Sequence, residues 1–236
     1  MTDPLAAARY ARLRWNTPLS EPHAAELLDH LDLTAGASVV DVGCGWGELL
    51  LRAAARTTAK AVGIDTDPAG LDRGRRAARE RDLDVEFVEV GAVDWAGTAD
   101  RAICVGSSHT LGGTTAMLAR LGEIVPHGRV LVGDGFWETT PSRAALDIFG
   151  AETTDLAGLV AACRATGWQV MHVSTASQQE WDDFESRHRA GLREWVLANR
   201  DDPRAEDVEQ QQDAREHEYL SVYRGVLGLA YLVLAR

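Results

Sequence analysis

Long apolar runs are missing from this chain. None approaches the ~20 residues that a membrane-spanning helix needs, so no membrane partner is expected. The N-terminal stretch MTDPLAAARYARLRW lacks the basic-then-apolar order of a secretory signal, and a cytoplasmic location is the expectation. Cysteine is scarce: Cys44, Cys104 and Cys163 lie far apart and form no C-x-x-C pair. They read as reduced, mostly buried thiols, and no metal is expected. Positive charge is in deficit, with 24 Lys and Arg against 36 Asp and Glu, a formal charge of −12. A phosphate-backbone binder needs a positive surface, which sets nucleic acid aside as a partner. The one basic cluster, residues 73–81 (RGRRAARER), falls inside a predicted helix and reads as its solvated face. Internal repeats and low-complexity segments are lacking as well.

What is present is an alternation of short apolar runs with helical patterns. Ser20 can cap a helix that has Pro22 in its first turn and Ala24, Leu27, Leu28 and Leu31 on one face. A shorter helix is expected around residues 5–13. Strands are expected at 38–42, 61–64, 85–90, 101–105, 129–133 and 169–175, and a last one, buried on both faces, at 226–234 (VLGLAYLVL). Helices are expected from Gly47 onward, at 67–82 with Asp67 as cap and Pro68 at the first position, at 114–125 and at 155–166. Two acidic helices follow at about 178–199 and 204–223. Strands alternating with helices imply a largely parallel sheet with right-handed crossovers. The length suits a single domain: a core at about 34–177 and 225–236, a helical segment at 1–33, and a helical insertion or lid at about 178–224.

The segment VVDVGCGWGELLL carries the strongest signal. Gly43, Gly45 and Gly47 lie between a strand and a helix, where missing Cβ atoms permit a tight turn and close approach of a ligand. In an open α/β sheet the carboxyl ends of the strands are where ligands bind. A dinucleotide fingerprint needs glycine at its sixth position, but here Glu48 stands there and would repel a pyrophosphate. Asp41, two residues before the first glycine, suits a ligand with an ammonium group. Asp65, just past the second strand, can accept both hydroxyls of a ribose. Asp67 already serves as the helix cap, which leaves Asp65 free.

In order and spacing, VVDVGCGWG, VGIDTD, VEFVEVGAVDW and ADRAICVGSSHTLGG resemble the class I S-adenosylmethionine-dependent methyltransferase family over about residues 36–175. The resemblance implies a Rossmann-like α/β fold: seven strands, mostly parallel, an antiparallel last strand, helices on both faces and helical lid additions. It implies S-adenosyl-L-methionine as cofactor and S-adenosyl-L-homocysteine as product. Gly43, Cys44, Gly45 and Gly47 would approach the methionine part, Asp65 would hold the ribose, and the adenine would lie near Thr66, Ala92 and Val93. Val105 and Gly106 would offer backbone groups near the amino end. The family often has an aspartate after the third strand. This chain has Gly91 there, and Asp94 comes three residues later, so adenine recognition would rest on backbone groups or on Asp94.

Methyl transfer from a sulfonium is an in-line displacement in which alignment and desolvation provide much of the acceleration. A general base is needed only for a protonated nucleophile. His109, in VGSSHTLGG, is the candidate base, weighed against a loop histidine that only bonds backbone. Ser107, Asp134, Trp137 and Glu138 are candidate acceptor contacts, the last three in GDGFWE past the fifth strand. Trp181, Phe184, His188, Leu192 and Trp195 share one face of an acidic helix, which reads as packing or as a lid over the acceptor. No N-P-P-Y-like tetrad follows the fourth strand. The expected acceptor is therefore a small molecule, with the chain acting as a monomer or homodimer. The alternatives are an NAD(P)-dependent oxidoreductase, for which no Ser/Tyr/Lys set is evident, and a non-catalytic cofactor-binding or regulatory member of the same fold.

Overall fold

The computed structural model describes residues 3–236. Helix α1 (Pro4–Ala8) starts at the Asp3 cap, and α2 (Glu21–His30) starts where the Ser20 hydroxyl accepts from the His23 N–H. Strand β1 (Val39–Val42), helix α3 (Glu48–Ala54), strand β2 (Ala61–Asp65), helix α4 (Pro68–Glu80) and strand β3 (Val85–Glu89) follow. After β4 (Arg101–Val105) come a 3-10 turn (Ser108–Leu111), helix α5 (Thr114–Ile124) and strand β5 (Arg129–Trp137). Helices α6 (Arg143–Phe149) and α7 (Leu156–Ala165) lead to β6 (Gln169–Thr175). Helix α8 (Gln178–Ala198) opens with a capping box between Ser177 and Glu180. Helix α9 (Ala205–Glu218) runs into a π-helical turn (Tyr219–Tyr223), and β7 (Leu227–Ala235) ends the chain.

The seven strands form one sheet in the order β3-β2-β1-β4-β5-β7-β6. Strands β1 to β5 pair in parallel where they are neighbours, and β7 runs antiparallel to β6. The expected seven-stranded sheet with a reversed last strand is therefore present. β7 is buried at every position but its last, as its unbroken apolar run requires.

The chain forms two compact units. The sheet unit comprises Ser20–Phe136, Thr154–Thr175 and Leu229–Arg236. Its core joins Val40, Val62, Cys104, Met117, Leu121, Val132 and Leu232, and is closed by Trp168, whose indole N–H donates to the Leu118 carbonyl at 3.1 Å. Helix α2 belongs here: Arg129 donates to its His30 carbonyl, and Arg101 to the Leu31 and Asp32 carbonyls just past it. Cations at a helix C-terminus satisfy its last carbonyls and oppose its dipole.

The second unit gathers residues through Leu19, Trp137–Thr153 and Ala176–Gly228. Within it α8 and α9 are joined through Glu185, 1% exposed, whose carboxylate accepts twice from Arg215 at 3.0 Å, with the Arg189 guanidinium at 3.6 Å. The expected aromatic stripe of α8 divides. Leu192 and Trp195 pack with Val208 of α9 and Leu5 of α1, while Trp181 and Phe184 join a ring cluster with Tyr223. His188 makes edge contacts with Tyr10 and Phe184, and burial holds it down at about 4.

Three elements differ from the sequence expectation. Helix α1 ends at Ala8, short of the helix expected around residues 5–13. β5 runs four residues beyond Gly133, so Asp134 and Trp137 lie on a strand and not in a loop. Helix α6, capped by Ser142, was not anticipated: it has only 7 residues and too few turns to show a period.

Candidate active site

The turn between β1 and α3 is held by its own backbone. Gly43, Gly45 and Gly47 have φ of +72°, +55° and +68°, a region costly for residues with a Cβ. The Gly43 and Cys44 N–H groups donate to the Ile64 carbonyl at 2.9 and 3.0 Å, and Gly47 N–H donates to Cys44 at 2.8 Å. Close packing sets the first glycine: a Cβ on Gly43 would sit 2.2 Å from Ser107 Oγ. The opposite holds at Gly45 and Gly106, where an added Cβ would meet nothing within 4 Å. The open side of both residues is free to receive a ligand against bare backbone. Helix α4 approaches this turn through Gly70 and Gly74, one helical turn apart, whose Cβ positions fall on Gly45 backbone and on Phe87 and Trp46. That G-x-x-x-G spacing in DPAGLDRGRR is a signal that sequence reading passed over.

Asp41 sits in β1 between Gly63 of β2 and Ile103 of β4, and is 5% exposed. Among the described residues no donor reaches its carboxylate. Burial, and secondarily the charge of Asp65, push its pKa up to about 8. Asp65 is not free, as sequence reading had it: its Oδ2 accepts from the Gly45 N–H at 2.7 Å and its Oδ1 from the Asp67 N–H at 2.8 Å. Each oxygen keeps a second acceptor site, so two hydroxyls can still be received. Asp67 caps α4 as expected, accepting from Ala69 and Gly70. The repulsion ascribed to Glu48 is also corrected. Its carboxylate is bound by Arg81 through both oxygens at 3.1 and 2.7 Å and by Arg52 at 3.1 Å, so its charge is neutralised locally. The basic cluster on α4 is correspondingly not a merely solvated face. Arg73 lies 4.1 Å over the Trp46 ring, and Arg75 donates to the Phe87 carbonyl.

Just past β2, Thr66 is exposed; beyond β3, Val93 and Asp94 are exposed and Ala92 is half-buried. Arg120 of α5, not singled out from sequence, fastens this turn by donating to the Ala92 and Trp95 carbonyls. At the end of β4 Val105 is half-buried, and Gly106 just past it is exposed, its N–H donating to Gly133 at 2.8 Å. Ser107 is buried and its hydroxyl lies 3.3 Å from the Gly43 carbonyl. His109 stands exposed on the 3-10 turn, and among the described residues nothing hydrogen-bonds its ring.

Asp134 is 8% exposed, and its carboxylate is already engaged. It accepts from Ser108 Oγ at 2.8 Å, Thr114 Oγ1 at 2.6 Å and the Gly135 N–H at 3.0 Å. An acceptor-facing carboxylate was expected. The residue instead ties the loop after β4 to β5. In the second unit Trp137 is buried in a cluster with Ala145, Tyr219 and Tyr223, against Phe149. Glu138 is exposed, its N–H donating to the Val226 carbonyl.

A family model described as a methyltransferase domain matches residues 39–128, the segment that carries this turn and both carboxylates. A SAM-dependent methyltransferase from Geobacter sulfurreducens, solved in complex with S-adenosyl-L-homocysteine, superposes with a TM-score of 0.88 at 26% identity. The match covers 100% of this chain and 99% of that one. Residues 39–128 form a methyltransferase domain of the class I S-adenosylmethionine-dependent type. The methyltransferase is also similar to the uncharacterised protein YjhP of Escherichia coli K12, at 27% identity over 94% of this chain and 93% of that one. The X-ray structure of YjhP matches with a TM-score of 0.87 and covers 99% and 100% of the two chains. A ubiquinone biosynthesis O-methyltransferase of Xanthomonas axonopodis is 30% identical over 63% of this chain and 58% of its own length. The cofactor of the methyltransferase is S-adenosylmethionine, and the open backbone at Gly45 beside a buried carboxylate that no donor among the described residues reaches fits it.

Proposed function

We propose that this methyltransferase acts on a small-molecule acceptor by in-line transfer. The observation that carries the cofactor assignments is Asp41: a buried carboxylate that no donor among the described residues reaches, next to a turn that is open at Gly45. In this reading Asp41 meets the ammonium of the cofactor and is ionised by it. Gly43, Cys44, Gly45 and Gly47 admit the methionine chain, and Asp65 receives the ribose hydroxyls on the acceptor sites its backbone bonds leave open. Thr66, Ala92 and Val93 border the adenine, with Val93, 64% exposed, offering an apolar edge that a ring would cover. Val105 and Gly106 flank the amino end. When bound, the cofactor supplies an electrophilic methyl on a positively charged sulfur.

The chain's own part is alignment and exclusion of water. Ser107 braces Gly43, and Asp134 holds the 3-10 turn through Ser108 and α5 through Thr114, so both act as positioning residues. His109 is the one titratable side chain on that turn and is the base for a hydroxyl acceptor. Glu138 is left as a polar contact. The small-molecule reading is supported by the −12 charge, which disfavours polyanions, and by similarity to the Xanthomonas relative, whose name assigns it O-methylation in ubiquinone biosynthesis. The test is methyl-labelled cofactor incubated with the protein and a panel of small phenols, carboxylic acids and amines, beside bulk tRNA and protein. Label in the small-molecule fraction is expected. Label confined to the macromolecules would overturn the acceptor class.

A further inference from the structure

We propose that Glu26, His30 and His172 bind one divalent first-row transition ion, zinc foremost, at the edge of the sheet remote from the glycine turn. Helix α2 places His23, Glu26 and His30 on one side, at spacings of three and four residues. Strand β6, at the end of the strand order, turns His172 and Ser174 to the same side of its pleat. The three ligand atoms lie within 4.8 Å of one another, and Glu26 Oε1 is 3.9 Å from Nε2 of both imidazoles. His172 Nε2 is buried and has no hydrogen-bond partner. His23 is a neighbour and not a ligand, because its Nε2 is shared with Ser174 Oγ at 2.7 Å.

The donor set selects the ion. Two imidazoles and one carboxylate suit zinc, cobalt, nickel or copper, whereas magnesium and calcium take oxygen donors. An ion about 2.0–2.2 Å from each donor in tetrahedral geometry needs donor separations near ~3.3 Å. The two carboxylate–imidazole distances of 3.9 Å must therefore close by about half an ångström, and the two imidazole donors must reach the same separation. The rings of His30 and His172, stacked at 3.8 Å and 18°, must also rotate apart toward the carboxylate. Glu26 is exposed, which leaves the ion a route from solvent and room for a water as fourth ligand. A bound ion would fasten α2 to an edge strand that otherwise shows Met171 and Val173 to solvent.

The experiment uses the full chain without a histidine tag, stripped with EDTA and titrated with zinc chloride in a calorimeter. One ion per chain is expected, with His30→Ala, His172→Ala and Glu26→Gln each weakening binding by about tenfold or more. S-adenosylhomocysteine affinity of the same variants reports whether they remain folded. Loading with cobalt(II) should give visible d–d bands without a thiolate charge-transfer band, which separates this site from the cysteines. Absence of saturable zinc binding up to about 100 μM, undiminished binding in the His30→Ala/His172→Ala double variant, or a thiolate band would overturn the proposal.

Discussion

Raising the pH from 6 to 8 should tighten the binding of S-adenosylhomocysteine by about fiftyfold, and Asp41 is the reason. Its pKa is pushed from 3.8 up to about 8, first by burial and then by the charge of Asp65. About one per cent of such a group is ionised at pH 6 and about half at pH 8. If the ligand's ammonium requires the carboxylate form, each unit below pH 8 removes about 1.4 kcal/mol of binding. The same group acts on stability with the opposite sign. The folded state holds this proton more tightly than the unfolded chain does, so its stabilising contribution is complete below about pH 4 and is lost as the pH rises toward 8. Asp41→Asn keeps the shape and removes the ionisation. It should flatten the pH dependence of binding, weaken affinity above pH 7, and raise the melting temperature of the ligand-free protein at pH 8. Calorimetric titrations at pH 6, 7 and 8, with melts on the same samples, measure all three. A wild-type affinity that does not change with pH, or a variant that binds as wild type does, would refute the assignment.

Other substitutions probe separate parts of the structure. Glu185→Ala leaves Arg189, 7% exposed, and Arg215 without their buried partner, and should cost about 3–5 kcal/mol in denaturant unfolding. A loss below 1 kcal/mol would mean that the pair does not organise α8 against α9. Gly43→Ala puts a Cβ at positive φ and 2.2 Å from Ser107 Oγ, and should lower stability by about 1–3 kcal/mol while weakening cofactor binding. Adding Ser107→Gly should relieve the clash but not the backbone strain. Full recovery, or none, would contradict that division. His109→Ala should slow methylation of a hydroxyl acceptor strongly and of a carbon or sulfur acceptor little. An unchanged rate on a hydroxyl would remove His109 as the base.

How much of this was legible in the sequence depends on how local each feature is. β4 and β6 lie where the pattern put them, and β1, β2, β3 and β7 within a residue or so, because buried apolar runs and neighbouring caps are local signals. The end of β5 was hidden because Gly133 and Gly135 read as strand breakers, while the strand continues through them to Trp137. The site shows the same division. Glycines at 43, 45 and 47 and the carboxylates at 41 and 65 were visible as a motif. Partners that arrive from afar were not: Gly45 reaches Asp65 across 20 residues, Arg81 reaches Glu48 across 33, and Thr114 and Ser108 reach Asp134 across 20 and 26. Each of these corrections changed a residue read as a free charge into one already held, since a buried carboxylate must find donors somewhere. Asp41 is the exception: among the described residues no donor reaches it, and that is what distinguishes it.

The most direct test of cofactor recognition is a calorimetric titration of the full-length protein with S-adenosylhomocysteine and, separately, with NADH, repeated on Asp65→Ala. One equivalent of the thioether should bind, NADH should not, and the substitution should abolish binding while the protein still melts cooperatively. Tight NADH binding with no response to the thioether, or unchanged affinity in Asp65→Ala, would contradict the account.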